Sequence, residues 1–377
     1  MKVLIVSGIW PPDVGGPASH APELAAYLLD AGHTVEVVVT AAAKPAAEAY
    51  PVRYVSRRIP VGLRHLAVAS LVAWRARSND VVYATSMLGR ASLAGAVAGR
   101  PLVVKLVADE AYERARRRGL YDGDLDAFQR LPGDRRIRLL RRARDAALRR
   151  VDHLVCPSAY LAGLAVSWGV PADRVTTLPN PAPALPPLDS REELRLRLGF
   201  RGPTLAFAGR ITQQKALGVA LDAVAALEGV DLVIAGDGPD LPVVRSRATE
   251  LGLDGRVRFI GSLTRQGVLE LFRAADAAVL SSSWENFPHT VVEALAVGTP
   301  MIATAVGGVA EIVRDDVNGL LVPPGDAVAL AEAISRFVAD DALSARLRAA
   351  ATASVEALRA DVVYPRLERI LATAASR

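Results

Sequence analysis

Cysteine is nearly missing from this chain: Cys156 is the only one in 377 residues. No internal disulfide and no cysteine-cluster zinc site can form. The thiol lies in the apolar run His153-Leu154-Val155-Cys156 and reads as a small core residue. Lysine is almost as scarce. Four of the 45 basic residues are lysine (Lys2, Lys44, Lys105 and Lys215) and the rest are arginine, so each lysine is worth placing. Aromatic residues make up only 5%, and with no recognised nucleic-acid motif this argues against a nucleic-acid partner. No apolar run approaches the roughly 18–20 residues needed to cross a bilayer. The stretch Lys2–Trp10 is apolar but short and meets Pro11-Pro12-Asp13, as a strand entering a turn does, and not as a signal peptide does. The expectation is a cytoplasmic protein in a reducing compartment.

Apolar material, by contrast, is ample. A hydrophobic fraction of 51% with 23% charged residues excludes disordered, collagen-like and coiled-coil classes. The length fits about two domains. Short apolar runs at 3–7, 34–39, 81–84, 102–107 and 153–156 alternate with helical spacing such as that over 18–31. The runs are continuous, not alternating, as in parallel strands buried on both faces. The pattern restarts at 204–208 and continues at 231–235, 257–260, 277–280, 301–303 and 319–322, with helices over about 215–227 and 241–251. Between the two series, Leu178–Asp189 holds five prolines and reads as a linker. The expected fold class is α/β, with two doubly wound, Rossmann-like parallel-sheet domains facing a central cleft. Their expected bounds are 1–185 and 186–357, and a C-terminal helix of about 358–377 packs back on the first. Ligands of such sheets bind beyond the carboxyl ends of the strands.

Four loops there carry chemistry. Gly15-Gly16-Pro17 follows the first strand and opens a helix, where backbone can approach an anion closely. Gly209-Arg210-Ile211-Thr212-Gln213-Gln214-Lys215 follows the first strand of the second series. Arg210 can make paired hydrogen bonds to phosphate, and Lys215, the only lysine of that half, supplies a point charge. Ser281-Ser282-Ser283-Trp284-Glu285-Asn286-Phe287-Pro288-His289-Thr290 runs from a strand into a helix that also carries Glu293. Free N–H groups around 287–290 favour an anion, a carboxylate can accept sugar hydroxyls, and a second can hold a ribose diol. Gly236-Asp237-Gly238-Pro239 reads as a common strand-to-helix turn.

Together these pieces resemble the retaining glycosyltransferases of family 4, which have the GT-B fold (glycosyl transferases group 1). The resemblance rests on Gly15-Gly16-Pro17, Gly209-Arg210-Ile211 with Lys215, Gly236-Asp237-Gly238-Pro239, Glu285 and Glu293 with seven residues between them, and Asn318-Gly319-Leu320-Leu321-Val322-Pro323-Pro324. It is dense over 203–340 and thinner over 1–180. It implies a nucleotide-diphosphate sugar, in particular a UDP-sugar, as donor and a first domain on the acceptor side. Glu285, Lys215 and Arg210 would be catalytic. Arg210 and Lys215 would bind the diphosphate, with Gly16 closing on it. Glu285 would contact the transferred hexose beside the backbone of Asn286 and Phe287. Thr290 would sit near a phosphate, and Glu293 would hold the ribose. Gly15 and His289 are further candidates. A histidine common in the family after the strand 101–107 is missing here, and Asp109 is the candidate to take its place. Arg210, Lys215 and a helix N-terminus can stabilise the charge that develops on the leaving diphosphate, so no cofactor and no metal is expected.

Charge is unevenly divided. Residues 1–180 carry a net +9 and residues 181–377 a net −4. The excess concentrates in Arg114–Arg118 and in a helix over Asp134–Arg150, with Ile137, Leu139, Leu140, Ala143, Ala147 and Leu148 expected on its buried side. Such a face is either a solvated surface or a contact for an anionic membrane at its inner side. The acceptor is not legible. Two other readings remain open: a nucleotide-sugar epimerase of the same architecture, and a non-catalytic nucleotide-sugar binding protein.

Overall fold

The computed structural model describes residues 1–13 and 16–377, with side chains for all of these except 16–19. Two compact units result. The first comprises Met1–Asn180 and Asp361–Arg377, the second Pro181–Ala360.

The first unit is built on seven strands: β1 (Lys2–Ser7), β2 (Thr34–Ala41), β3 (Val52–Ser56), β4 (Val81–Ala84), β5 (Leu102–Lys105), β6 (His153–Cys156) and β7 (Val175–Thr177). Their order across the sheet is β3-β2-β1-β4-β5-β6-β7, and every neighbouring pair is parallel. The second unit holds β8 (Thr204–Ala208), β9 (Asp231–Ala235), β10 (Val257–Gly261), β11 (Ala277–Leu280), β12 (Met301–Thr304) and β13 (Gly319–Val322). Here the order is β10-β9-β8-β11-β12-β13, again all parallel. Each sheet reverses its winding beside its first strand, between β1 and β4 and between β8 and β11. Those are the two switch points, where loops diverge and leave room for a ligand.

The continuous apolar runs are explained by burial on both sides. In β8, Leu205 and Phe207 join one core and Ala206 and Ala208 the other, as a two-residue period dictates. One face of this sheet is largely alanine (Ala206, Ala208, Ala235, Ala278, Ala303) and carries the helices Arg191–Leu198, Arg265–Ala274 and His289–Ala296. The other is bulky (Leu205, Phe207, Leu232, Ile234, Val279, Ile302) and carries Leu217–Ala225, Leu241–Glu250 and Ala327–Ala339.

The strands β3 and β7 were not expected. Both are edge strands: β3 has one fully buried residue and β7 none, so neither shows the apolar run of an inner strand. The basic helix, Arg135–Leu148, also departs from expectation. Its buried residues are Ile137, Arg144, Ala147 and Leu148. Leu139 is 67% exposed and Ala143 is exposed. Arginine thus replaces two apolar residues on the inner face, for a reason found at Asp109 below.

Candidate functional site at the second switch point

At the carboxyl ends of β8 and β11, two loops lie against each other. The β8 loop ends in a short 3-10 turn, Gln213–Lys215. The β11 loop, Ser281–Pro288, leads into the helix His289–Ala296. Among the described residues, four hydrogen bonds that end on a backbone carbonyl join them. Ser283 N and Oγ donate to Gln214 O at 2.8 and 3.2 Å. Gln214 Nε2 donates to Trp284 O at 2.7 Å, and Ser281 Oγ donates to Lys215 O at 2.9 Å. Thr304 Oγ1, on β12, holds Ser282 O at 2.7 Å from below.

This frame sets Lys215 Nζ 2.5 Å from Glu285 Oε1, which also accepts from Ser282 Oγ at 2.7 Å. Both side chains are largely buried. The remaining oxygen of Glu285, Oε2, accepts no hydrogen bond among the described residues. Arg210, on the same β8 loop, is exposed and without an ion pair among the described residues. Asn286 and Phe287 are buried beside Glu285. Thr290 and Glu293 lie half-buried on the helix that follows, and Arg265 Nε comes within 4.0 Å of Glu293 Oε1. That helix starts after Pro288 with no side-chain cap, and the positive end of its dipole lies at this loop. His289 is its first residue and half-buried. The structure therefore gathers Lys215, Glu285, Asn286 and Phe287 into one cluster, with Arg210 on the adjoining loop and Thr290 and Glu293 on the helix behind. A cation, a half-engaged carboxylate and a helix N-terminus are groups suited chemically to an anionic, hydroxyl-rich ligand.

The glycines of the β9 loop hold this frame together. A Cβ on Gly236 would lie 1.9 Å from Gly209 O, and one on Gly238 would lie 2.0 Å from Ile211 O. Gly209 N donates to Ala235 O and Ile211 N to Asp237 O. Gly236-Asp237-Gly238 is thus more than an ordinary turn: its lack of side chains lets the β8 and β9 loops touch backbone to backbone. The strand-to-helix glycine pair was the signal, but only its partner loop gives it meaning. Ser282 and Gln214 were also passed over as individual residues, though both stand inside the quoted motifs.

Two family models match this chain. The glycosyl transferase 4-like domain covers residues 15–181, and glycosyl transferases group 1 covers 190–354. The chain joins two glycosyltransferase domains, one 4-like and one of group 1. Its relatives include the lipopolysaccharide core biosynthesis glycosyltransferase LpsE of Rhizobium meliloti, 39% identical over 38% of this chain and 42% of LpsE. The D-inositol 3-phosphate glycosyltransferase of Xylanimonas cellulosilytica is 36% identical over 50% of this chain and 48% of that protein. The match thus spans less than half the length of either relative. Among solved structures, Anabaena HepE in complex with UDP-glucose superposes with a TM-score of 0.80 at 22% identity, over 99% of this chain and 100% of HepE. That likeness establishes the GT-B architecture of two Rossmann-like domains.

The first unit of this glycosyltransferase-like chain answers the remaining expectations differently. Gly16 is the first residue of the helix Gly16–Asp30, and Gly15 lies outside the described residues. Asp109 is not poised to meet a sugar. It is fully buried and caps the helix Glu110–Arg117, with Oδ1 accepting from Ala111 N at 2.8 Å and Tyr112 N at 3.3 Å. Its Oδ2 accepts from Arg144 Nη1 at 2.7 Å and Gln129 Nε2 at 3.0 Å. Arg144 stacks 3.8 Å from the Trp168 ring centroid, and Trp168 Nε1 donates to Gln129. Asp109 is a structural hub, and Arg144 is buried in the basic helix to serve it. One further pattern was overlooked: Asp122-Gly123-Asp124-Leu125-Asp126 has a paired-carboxylate spacing. Asp124 caps the helix Leu125–Arg130, and Asp126 accepts from Tyr160 Oη at 2.6 Å.

Proposed function

We propose that this chain transfers a hexose from a UDP-sugar to an acceptor, with retention at the anomeric carbon and without a metal ion. The observation that carries the reading is the Lys215–Glu285 pair at the second switch point, with Arg210 beside it. Loss of a nucleoside diphosphate builds negative charge on the β-phosphate. Arg210, Lys215 and the N-terminus of the helix His289–Ala296 supply positive potential for it, fixed in advance by the loop frame. Glu285 balances Lys215 until the donor arrives. The diphosphate then takes over the ammonium, and Glu285, still held by Ser282, is free to accept hydroxyl protons of the sugar. Asn286 and Phe287 offer backbone groups to that sugar, Thr290 a hydroxyl to a phosphate, and Glu293 a carboxylate to the ribose. HepE, of similar fold, is seen with UDP-glucose, which favours a UDP-sugar here.

The acceptor is anionic or lies at an anionic surface in this reading, because the first unit is basic. Among the described residues, no helix is long and apolar enough to cross a membrane. The test is a donor screen with purified protein, followed by release of UDP with and without EDTA. UDP-glucose turnover that persists in EDTA and is lost in Glu285→Gln is expected. Turnover that requires added Mn²⁺, or that survives Glu285→Gln intact, overturns the reading.

A further inference from the structure

The opposite end of the second sheet carries a different arrangement. Beneath the amino ends of β8 and β11 lies a cavity of about 500 Å³. It is one strand away from the switch point, on the order of 17 Å along β8. Its wall includes Arg191 and Arg195 on the helix Arg191–Leu198, Arg201 just before β8, and Arg348 on the helix Asp341–Ala351. Two carboxylates, Asp276 and Asp341, share the lining, so the cavity has a formal excess of two positive charges.

Asp276 cannot absorb that excess. Its Oδ1 accepts from Arg191 Nη2 at 2.5 Å, and its Oδ2 from Arg195 Nη1 at 3.0 Å and Thr204 N at 2.8 Å. Among the described residues, Arg348 therefore has only backbone carbonyls, those of Gly298, Ala275 and Asp276, at 2.7–3.2 Å. Burial, and then the neighbouring Arg191, bring its pKa down to about 10 against the pull of Asp276, with Arg195 lowering and Glu192 raising it further. Arg201 is exposed and has no partner among the described residues. The Nε of Arg191 is buried with no hydrogen-bond partner among the described residues. Asp341 is exposed at the rim, where water screens it. A buried N–H left without an acceptor, as at Arg191 Nε, is costly.

We propose that this cavity is an anion site for a soluble phosphomonoester, separate from the donor site at the other end of the sheet. A phosphate dianion matches the excess charge. Its tetrahedral oxygens suit several guanidinium forks at once. The cavity is large enough for a small phosphorylated metabolite. Since the wall joins three helices to the two strands that carry the donor loops, occupancy stiffens the base of the donor unit.

The probe is inorganic phosphate, titrated calorimetrically at constant ionic strength into the full chain carrying Lys215→Ala, which weakens phosphate binding at the donor loops. Saturable one-site binding is expected, weakened about tenfold or more by Arg201→Glu. Arg201 is exposed and unbonded, so that variant keeps its fold, checked by its melting curve. Ser344→Glu, which puts a carboxylate into the cavity, is expected to abolish phosphate binding and to raise the melting temperature of the unliganded protein. No saturable binding in the millimolar range, or binding that neither variant weakens, overturns the proposal.

Discussion

Two buried carboxylates stand at the carboxyl ends of strands, one in each unit, and each has a cation beside it. Asp109, after β5, pairs with Arg144; Glu285, after β11, pairs with Lys215. They differ in what is left over. Both oxygens of Asp109 are filled: two backbone N–H groups hold one and two side chains the other. Glu285 takes both of its bonds on Oε1 and keeps Oε2 open. The cations differ in the same way. Arg144 is locked by a carboxylate pair and a stacked indole, whereas Lys215 ends in a single ammonium that can turn to a new partner. Burial and charge therefore do not separate a site from a scaffold. Unfilled hydrogen-bonding capacity does.

The largest expected effect tests that difference directly. Glu285→Gln and Lys215→Ala are each expected to lower UDP-sugar turnover by about 100-fold or more, the usual loss when one fixed electrostatic group is removed. Asp109→Asn should instead leave turnover per folded molecule within a few fold. If Asp109→Asn abolished turnover in a chain whose circular dichroism and melting curve were unchanged, the contrast would fail.

Stability should show the reverse. Asp109→Asn takes one of two counter-charges from the buried Arg144 guanidinium and leaves only Asp145, which costs about 2 kcal/mol. The loss should appear as faster amide exchange in the helices Glu110–Arg117 and Arg135–Leu148 and as a changed near-ultraviolet signal from Trp168. Exchange in the second unit is the internal control, since a chain of two units need not unfold in one step. Gly238→Ala comes next, at about 2 kcal/mol, because the new methyl would collide with Ile211 O and push the β8 and β9 loops apart. Donor affinity should fall with it, measured by UDP titration. A Gly238→Ala protein with native donor affinity would show that the frame is not needed to hold Arg210 and Lys215.

How much of this was legible beforehand follows from the same physics. Inner strands such as 3–7 and 204–208 announce themselves because both faces are buried, so the α/β class and its two doubly wound domains could be read; the GT-B architecture was implied by the resemblance of the loop motifs. The edge strands β3 and β7 could not, since β3 buries one residue of five and β7 none of three. Motif order pointed to the residues around Glu285, where chemistry and sequence neighbourhood coincide. The role of Asp109 was hidden because its partners are 20 and 35 residues away. Nothing local distinguishes a helix-capping aspartate with a distant arginine from one facing a ligand. Leu139 and Ala143 misled for a related reason: apolar periodicity assigned them inward, and Arg144 occupies that face to satisfy Asp109.

A pH profile extends the comparison to the other lysine at a strand end. Lys105 closes β5 and is buried; desolvation lowers its pKa to about 7, against a smaller opposing pull from Glu23. Unfolded, the amine keeps its proton to about pH 10.5. Between about pH 7 and 10.5 the unfolded chain therefore binds more protons than the folded one, and stability rises with pH, by at most about 1.4 kcal/mol per unit. Lys105→Met should flatten that rise in denaturant titrations taken across this range. An unchanged profile would mean that Lys105 is charged in the folded unit.

The smallest effect concerns the two residues that begin helices beside the switch points in a left-handed conformation. Met87, after β4, has φ 61° and ψ 34°; Ala216, directly after Lys215, has φ 46° and ψ 42°. Each costs on the order of 1 kcal/mol relative to glycine in that region. The side chains decide what substitution does. Met87 is buried in the first core, so Met87→Gly trades relief of strain for a cavity and should destabilise by about 2 kcal/mol. Ala216 has a single methyl to lose, and Ala216→Gly gains backbone relief against added entropy in the unfolded chain, for a net change within about 0.5 kcal/mol. Its consequence should fall on function. The strained residue fixes the turn that aims Lys215 at Glu285, and glycine lets that turn sample other geometries. A few-fold weaker binding of UDP at unchanged melting temperature is the expected result, and unchanged binding would show that Ser281 and Ser283 alone hold Lys215 in place.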